Sequence, residues 1–226
     1  MDLDGLRARL DEVRAGIAEH QRLGGWSHHV RIVAVTKTHG ADAVRAAVAA
    51  GLAAVGENRV QEALAKQDET RDVAVEWHLI GSLQRNKVRH VAGRFALIHS
   101  VDREDLAAEI DRRAEDGGRQ AVLVQVNCSS EPQKGGVEPG ELQALLDRLR
   151  RFARLDLRGL MTMAAYDAGE PVQRRTFARL RDLRDAATAD GHELPELSMG
   201  MSGDYRAAVQ EGATIVRLGT VLLGQR

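Results

Sequence analysis

Eight short apolar runs, separated by stretches with helical spacing, constrain the fold of this chain more than any other feature. Strands separated by helices cannot pair as hairpins, so we expect them to be parallel and connected by helical crossovers. The strands are predicted at 30–36, 53–56, 76–80, 95–99, 121–126, 157–161, 195–199 and 214–218. The helices between them are predicted near 41–50, 57–68, 83–91, 102–116, 139–153, 171–189 and 203–211.

This order of elements favours a closed (β/α)8 barrel, the TIM-barrel fold, over an open doubly wound sheet. An extra N-terminal helix is predicted to end near Gly24 and Gly25. Its apolar residues recur at spacings of three and four, and they are Leu3, Leu6, Leu10, Val13 and Ile17. We expect it to cover the side of the barrel where the last helix must fit within residues 221–226. No break in composition marks a second domain, so residues 1–226 are expected to form one domain.

Charge and composition exclude several classes of protein. The formal net charge of −1 argues against a general nucleic-acid binder. No apolar run approaches the roughly 20 residues of a membrane span, and the acidic start of the chain does not resemble a secretory signal. A single cysteine, Cys128, excludes an internal disulfide. We therefore expect a soluble, cytoplasmic protein that binds neither nucleic acid nor membranes.

Lysine is rare in this chain, and one lysine lies where a barrel carries its chemistry. Among 32 basic residues, the lysines are Lys37, Lys66, Lys87 and Lys134. Lys37 follows the first predicted strand directly, at the end where barrel sites are found. Only an amine forms a Schiff base, and apolar surroundings favour its reactive, deprotonated form. The alternative is an ordinary lysine at a strand end that pairs with Glu57.

The ends of the seventh and eighth predicted strands carry groups that suit an anion. Ser202 precedes a predicted helix, so its hydroxyl could face an anion or simply cap that helix. Gly219 allows a close approach of the backbone, and Thr220 adds an N–H and a hydroxyl. Barrels commonly bind phosphate between these two loops. Together with Lys37, these residues suggest a site for pyridoxal 5'-phosphate (PLP).

Arg217, on the eighth predicted strand, could point into the barrel and face the pyridine ring of PLP. A guanidinium stays protonated, so it can donate a hydrogen bond to the ring nitrogen but does not readily give it a proton. An unprotonated pyridine is a weaker electron sink, which would limit the chemistry of the site. The alternative is a pair between Arg217 and Glu57 inside the barrel.

Six motifs run in order from residue 33 towards the C-terminus. They are VAVTKT at 33–38, GENRVQE at 56–62, WHLIGSLQRNK at 77–87, GLMTM at 159–163, LSMGMS at 197–202 and VRLGT at 216–220. With these motifs the chain resembles the pyridoxal-phosphate homeostasis proteins, single-domain relatives of the alanine-racemase barrel of PLP fold type III.

The resemblance implies a role for each candidate residue. It implies that Lys37 binds PLP as a Schiff base and that Arg217 faces the pyridine nitrogen. The residues implied to hold the phosphate are Ser202, Gly219 and Thr220. Asn58 and Ser198 would line the pocket. No metal site is expected, because the histidines show no ligand spacing typical of zinc.

A catalyst and a carrier remain as alternatives. Racemisation by such a barrel needs two opposed bases, and Lys37 can be one of them. The sequence does not position either tyrosine, Tyr166 or Tyr205, as the second. We therefore expect a monomeric PLP carrier in intracellular PLP (vitamin B6) homeostasis, without efficient catalysis and with PLP-dependent apoenzymes as recipients. The alternatives are a weak amino-acid racemase using Tyr166 and a Schiff-base aldolase using Glu57 as its acid.

Overall fold

Parallel strands close into a barrel in the order in which they occur along the chain. The computed structural model describes residues 2–114, 118–129, 131 and 134–224. Its strands are β1 (Arg31–Val35), β2 (Ala54–Glu57), β3 (Glu76–Leu79), β4 (Leu97–Val101), β5 (Gln120–Gln125), β6 (Leu155–Met161), β7 (Glu196–Ser198) and β8 (Ile215–Leu218). β1 pairs in parallel with β8, with Val33 opposite Arg217, and this pairing closes the ring. The predicted (β/α)8 barrel is confirmed.

The helices follow the strands, with some differences from the prediction. They are α1 (Leu3–Gly24), α2 (Ala41–Ala49), α3 (Val60–Glu69), α4 (Glu104–Arg113), α5 (Leu142–Leu149), α6 (Glu170–Ala189), α7 (Tyr205–Gln210) and α8 (Thr220–Leu223). The segment predicted as a helix over 83–91 is a 3-10 helix over Arg85–His90. Like charges four residues apart, such as Arg85 and Arg89, disfavour an α-helix there. The predicted helix 102–116 corresponds to α4, and its last two predicted residues, 115 and 116, lie outside the described residues.

Helix α1 covers the side of the barrel next to the shortest helix. The Asp2 side chain caps it by accepting a hydrogen bond from the Gly5 amide at 3.1 Å. It ends at Gly25, whose φ of 75° lies in the left-handed region that favours glycine. The residues that it buries are Leu6, Leu10, Val13, Gly16 and Ile17. Because α8 is a single turn, α1 packs on both α7 and α8, as predicted.

Apolar side chains fill the barrel and separate it from the helices. The small cluster inside the barrel consists of Val33, Ala54, Leu97, Leu123, Met161 and Ile215. A larger cluster lies between the strands and the surrounding helices. This packed interior leaves the strand ends as the places where a barrel can bind ligands. Among the described residues, no helix has the length and apolar character needed to cross a membrane.

Candidate functional site

A cavity of about 440 Å³ opens at the C-terminal ends of the strands. Its volume falls within the range of roughly 300–1,000 Å³ that is typical of small-molecule sites. The predicted site residues among its lining are Lys37, Asn58, Ser202, Arg217, Gly219 and Thr220. Val35, Ile80, Met163 and Met201 add apolar surface. The structure therefore brings together six of the seven residues proposed from the sequence, although they lie up to 183 positions apart.

Lys37 is the second residue after β1, and its exposed side chain lies at the cavity. The preceding residue, Thr36, is fully buried, and its hydroxyl donates to Oε1 of Glu57 at 2.6 Å. Neighbouring residues along a strand point to opposite sides, so Thr36 faces the helical layer and Lys37 faces the cavity. A pair between Lys37 and Glu57 is wrong, because the lysine that contacts Glu57 is Lys66 of α3.

Arg217 supplies a buried positive charge beneath this cavity. Its guanidinium donates to Oγ of Ser198 at 2.6 Å and to the carbonyl of Thr162 at 2.9 Å. Both partners are neutral, and the alternative pair with Glu57 is wrong. Burial lowers the pKa of Arg217 to about 10, against the opposing charge of Asp204. At neutral pH the group is therefore a cation that only donates hydrogen bonds.

Ser198 lies behind Arg217 and does not line the cavity. Its side chain is fully buried, and its Oγ also lies 2.9 Å from Nδ1 of His99. Because Arg217 can only donate, the Ser198 hydroxyl is free to donate its own proton to His99. Ser198 was expected to line the pocket, but it pairs with Ile215 on β8, two residues before Arg217. It therefore lies one layer of side chains deeper in the barrel than Arg217. Ser198 thus contacts the arginine that lines the cavity, and its own role towards a ligand stays a prediction.

The hydrogen-bonded chain continues through the barrel to a second histidine. Nε2 of His99 lies 3.0 Å from Nδ1 of His78, whose Nε2 has no hydrogen-bond partner among the described residues. Burial lowers the pKa of His78 to about 3 and holds that of His99 well below its usual value. Both rings are therefore neutral at pH 7. If His99 accepts from Ser198, it donates through Nε2 to His78, which sets one tautomer for each ring.

The wall formed by the last two loops presents one hydroxyl and several backbone amides. Oγ of Ser202 accepts from the amides of Gly219 at 3.2 Å and Val221 at 3.3 Å. Ser202 is not the cap of α7, because that helix begins at Tyr205 and follows Asp204. Thr220 begins α8 and is exposed at the cavity. The arrangement suits a phosphate, which accepts hydrogen bonds from such donors.

The opposite wall depends on a close backbone contact. A Cβ atom on Gly81 would lie 2.3 Å from the carbonyl oxygen of Asn58, a distance that no side chain could tolerate. Glycine therefore lets the loop after β3 pack directly on the loop after β2. This contact holds Asn58, which is half-buried, at the edge of the cavity.

Comparison with known proteins identifies the family. The family model of the alanine racemase N-terminal domain matches residues 2–226. The pyridoxal phosphate homeostasis protein of Aquifex aeolicus is 42% identical over 91% of this chain and 91% of its own length. The protein of the same name from Pseudomonas aeruginosa is 45% identical over 87% of this chain and 85% of its own length. The chain belongs to the pyridoxal phosphate homeostasis protein family.

Solved structures agree with this family assignment. The PLP-bound structure of PipY from Synechococcus elongatus PCC7942 has a TM-score of 0.85 and 38% identity, over 97% of this chain and 100% of that one. An alanine racemase of Clostridium difficile has a TM-score of 0.79 at 17% identity, and this chain covers 58% of it. That second likeness shows the barrel fold alone. The resemblance inferred from the six motifs is confirmed.

Sequence reasoning missed two groups of residues around this site. One group is His78 and His99: the histidines enter the sequence analysis only as possible metal ligands, although the alternation of β3 and β4 places these two inside the barrel. Lys66 was noted only as a rare lysine. Its position four residues after Glu62 on a helix is the spacing of an ion pair, and that signal was available.

Proposed function

We propose that this protein binds PLP as a Schiff base on Lys37 and serves in intracellular PLP homeostasis, with residues 1–226 forming one PLP-binding domain. The observation that carries the proposal is the convergence of a lysine amine, a buried guanidinium and an amide-rich wall on one cavity. These groups fit three of the polar parts of PLP, namely its aldehyde, its pyridine nitrogen and its phosphate. The PLP-bound PipY structure and the names of the curated relatives support the choice of cofactor.

Each residue has a distinct part in holding the cofactor. Ser202, Gly219 and Thr220 would bind the phosphate, and Asn58 would bound the opposite side of the pocket. When bound, PLP supplies an aldehyde and an electron-withdrawing ring. Arg217 would donate a hydrogen bond to the ring nitrogen and keep its own proton, because a pKa of about 10 leaves it charged at pH 7.

The positions of the tyrosines support a carrier over a racemase. The Tyr166 side chain is 93% exposed and is not among the residues that line the cavity. Tyr205 is buried, and its hydroxyl packs against Gly16 of α1 on the far side of α7. Neither tyrosine of the sequence therefore lines the cavity opposite Lys37, where a second base would be needed. We propose that the protein does not catalyse racemisation efficiently.

The aldolase alternative loses support for a similar reason. It requires an acid beside Lys37, and Glu57 was the candidate. The Glu57 carboxylate contacts Lys66 and the Thr36 hydroxyl, and it does not line the cavity.

We further propose that the protein acts in the cytoplasm as a monomer and passes PLP to PLP-dependent apoenzymes. The buried Cys128 thiol, whose pKa burial raises to about 11, is compatible with a reducing compartment.

Two assays on the PLP-loaded protein test the role. The first follows the exchange of the alanine α-proton in D₂O, with free PLP as reference. The second follows the transfer of PLP to an apoenzyme by the recovery of that enzyme's activity. We expect exchange no faster than with free PLP, together with transfer. Exchange well above free PLP that is lost in Tyr166→Phe would overturn the carrier proposal and favour the racemase.

A further inference from the structure

Lys66 of α3 is buried, and all of its donors are used. Its ammonium carries three N–H groups and lies 2.7 Å from the Thr36 carbonyl, 2.7 Å from Oε1 of Glu57 and 2.8 Å from Oε1 of Glu62. The side chain is 6% exposed and does not line the cavity. The number of acceptors equals the number of donors, so the ammonium is fully satisfied where it lies. It has no capacity left to react with a ligand.

The groups that Lys66 gathers lie immediately before and after Lys37 in the chain. The Thr36 carbonyl belongs to the peptide bond that enters Lys37, and the Thr36 hydroxyl donates to Oε1 of Glu57 at 2.6 Å. On the other side, the Thr38 amide donates to Oε1 of Glu62 at 2.7 Å. Lys66 binds the same two carboxylate oxygens. The cluster therefore holds both backbone connections of Lys37 from the side opposite the cavity.

The segment needs such support because its backbone is strained. Thr38 has a φ of 67°, a left-handed conformation that a β-branched residue rarely adopts. Such conformations persist only where the surrounding structure holds them. Two hydrogen bonds hold this one: the Thr38 amide donates to Glu62 at 2.7 Å, and the His39 amide closes the turn by donating to the Thr36 carbonyl at 3.1 Å.

We propose that Lys66 is a positioning residue for Lys37, acting through Glu57, Glu62 and the backbone of Thr36 and Thr38. The inference rests on the proposed function, in which Lys37 is the residue that binds PLP. It adds that the direction of the Lys37 side chain is set from behind the strand, by a second lysine that never touches the cofactor.

A role in stability alone explains this cluster poorly. Removing charges from water is costly, and apolar residues of similar size often stabilise a buried position as well or better. Here the cost is visible, because burial raises the pKa of Glu57 despite the hydrogen bonds from Lys66 and Thr36. In addition, Oε2 of Glu57 has no partner among the described residues. The cluster is energetically costly, yet it makes three contacts with the residues on either side of Lys37. Orienting the Lys37 side chain explains this arrangement better than stability does.

The test compares Lys66→Met with Arg181→Met. Arg181 of α6 forms a similar ion pair, to Glu211 at 2.6 Å, but lies away from the cavity. Each variant removes a cation from a largely buried carboxylate that keeps one other partner, the Thr36 hydroxyl for Glu57 and Arg174 for Glu211. The second variant therefore reports the effect of destabilisation alone. The readout is the rate at which PLP forms a borohydride-trappable adduct on Lys37, measured well below the unfolding temperature of each variant.

We expect Lys66→Met to slow adduct formation by roughly 10- to 100-fold, the loss that a displacement of about 1 Å can cause. Arg181→Met should react at the wild-type rate. A wild-type rate in Lys66→Met, or an equal loss in both variants, would overturn the proposal. If Lys66→Met does not fold, Glu62→Ala replaces it. The Glu62 side chain is 27% exposed, so its removal disturbs the core less, and the variant still lacks the acceptor of the Thr38 amide.

Amide hydrogen exchange, measured on the PLP-free proteins, tests the role of Lys66 without the cofactor. In Lys66→Met the Thr38 amide should lose protection, while the amides of α6 and α7 remain as in wild type. Unchanged protection at Thr38 would overturn the positioning role. If wild type itself forms no adduct on Lys37, the proposed function fails, and the exchange data still decide whether Lys66 holds the segment.

Discussion

Replacing Arg217 with methionine should stabilise the PLP-free protein and abolish its response to PLP. The guanidinium is buried, and this burial lowers its pKa well below the usual value, to about 10. At about 1.4 kcal/mol per pKa unit, holding the cation in the folded protein costs about 3 kcal/mol. Because the folded-state pKa is lowered, this cost applies in full below about pH 10 and declines as the pH rises from there towards the pKa of the unfolded chain.

The substitution also removes favourable contacts, so the gain is smaller than the cost. Methionine leaves the Thr162 carbonyl without its guanidinium donor, at about 1–2 kcal/mol, while Ser198 retains His99. The net stabilisation is about 1–2 kcal/mol. In a chain of this size that corresponds to a rise in Tm of roughly 2–8 °C.

Thermal unfolding with and without PLP tests this reasoning. Without PLP, Arg217→Met should unfold at a higher temperature than wild type, whereas Arg181→Met, which breaks a compensated pair with Glu211, should unfold at a lower one. With PLP, wild type should gain stability by binding, and Arg217→Met should gain little. If PLP-free Arg217→Met unfolds at a lower temperature than PLP-free wild type, the claim is refuted that this buried cation destabilises the fold and serves ligand binding.

Three further predictions follow from the geometry around the cavity. Ser202→Ala should weaken PLP binding by roughly 10-fold, the loss of one charge-assisted hydrogen bond, without weakening binding of phosphate-free pyridoxal; equal losses for both ligands would contradict a phosphate role. His78 should stay neutral down to pH 5 in an NMR titration, and His99 should titrate well below its usual range. The lowered pKa values of both rings mean that the unfolded state binds more protons below about pH 6.5, so stability should fall as the pH drops from there, and His78 should account for a loss of about 2 kcal/mol at pH 5. Gly81→Ala should destabilise the fold by about 2 kcal/mol or more and weaken PLP binding by displacing Asn58, and a variant with wild-type Tm would show that the two loops can separate.

The parts of the fold that could be predicted are those encoded by local pattern. Alternating apolar runs and helical stretches predict parallel strands, and Leu6, Leu10 and Val13 at helical spacing predict the buried face of α1. The type of the segment over Arg85–His90 was not predictable from periodicity, because a 3-10 helix and an α-helix share similar spacing. Helix boundaries could not be predicted closely either. The helix predicted near 57–68 begins only at Val60, because Glu57 is the last residue of β2.

Only part of the candidate site could likewise be predicted from the sequence. Lys37, Ser202 and Gly219 could be placed because barrels carry their chemistry at strand ends. The contacts behind these residues depend on tertiary packing between distant segments, which no sequence pattern specifies. Ser198 is a clear example, since only the closed barrel shows that it contacts Arg217 and His99 instead of the cavity.

The most direct measurement is borohydride reduction of the protein with PLP, followed by peptide mapping of the modified lysine. The sequence contains only Lys37, Lys66, Lys87 and Lys134, so each can be resolved. We predict one stoichiometric adduct on Lys37, with an absorption band that is absent from Lys37→Ala. Lys66 should stay unmodified, because its ammonium is buried and fully bonded. A principal adduct on another lysine, or no adduct on wild type, would contradict the account.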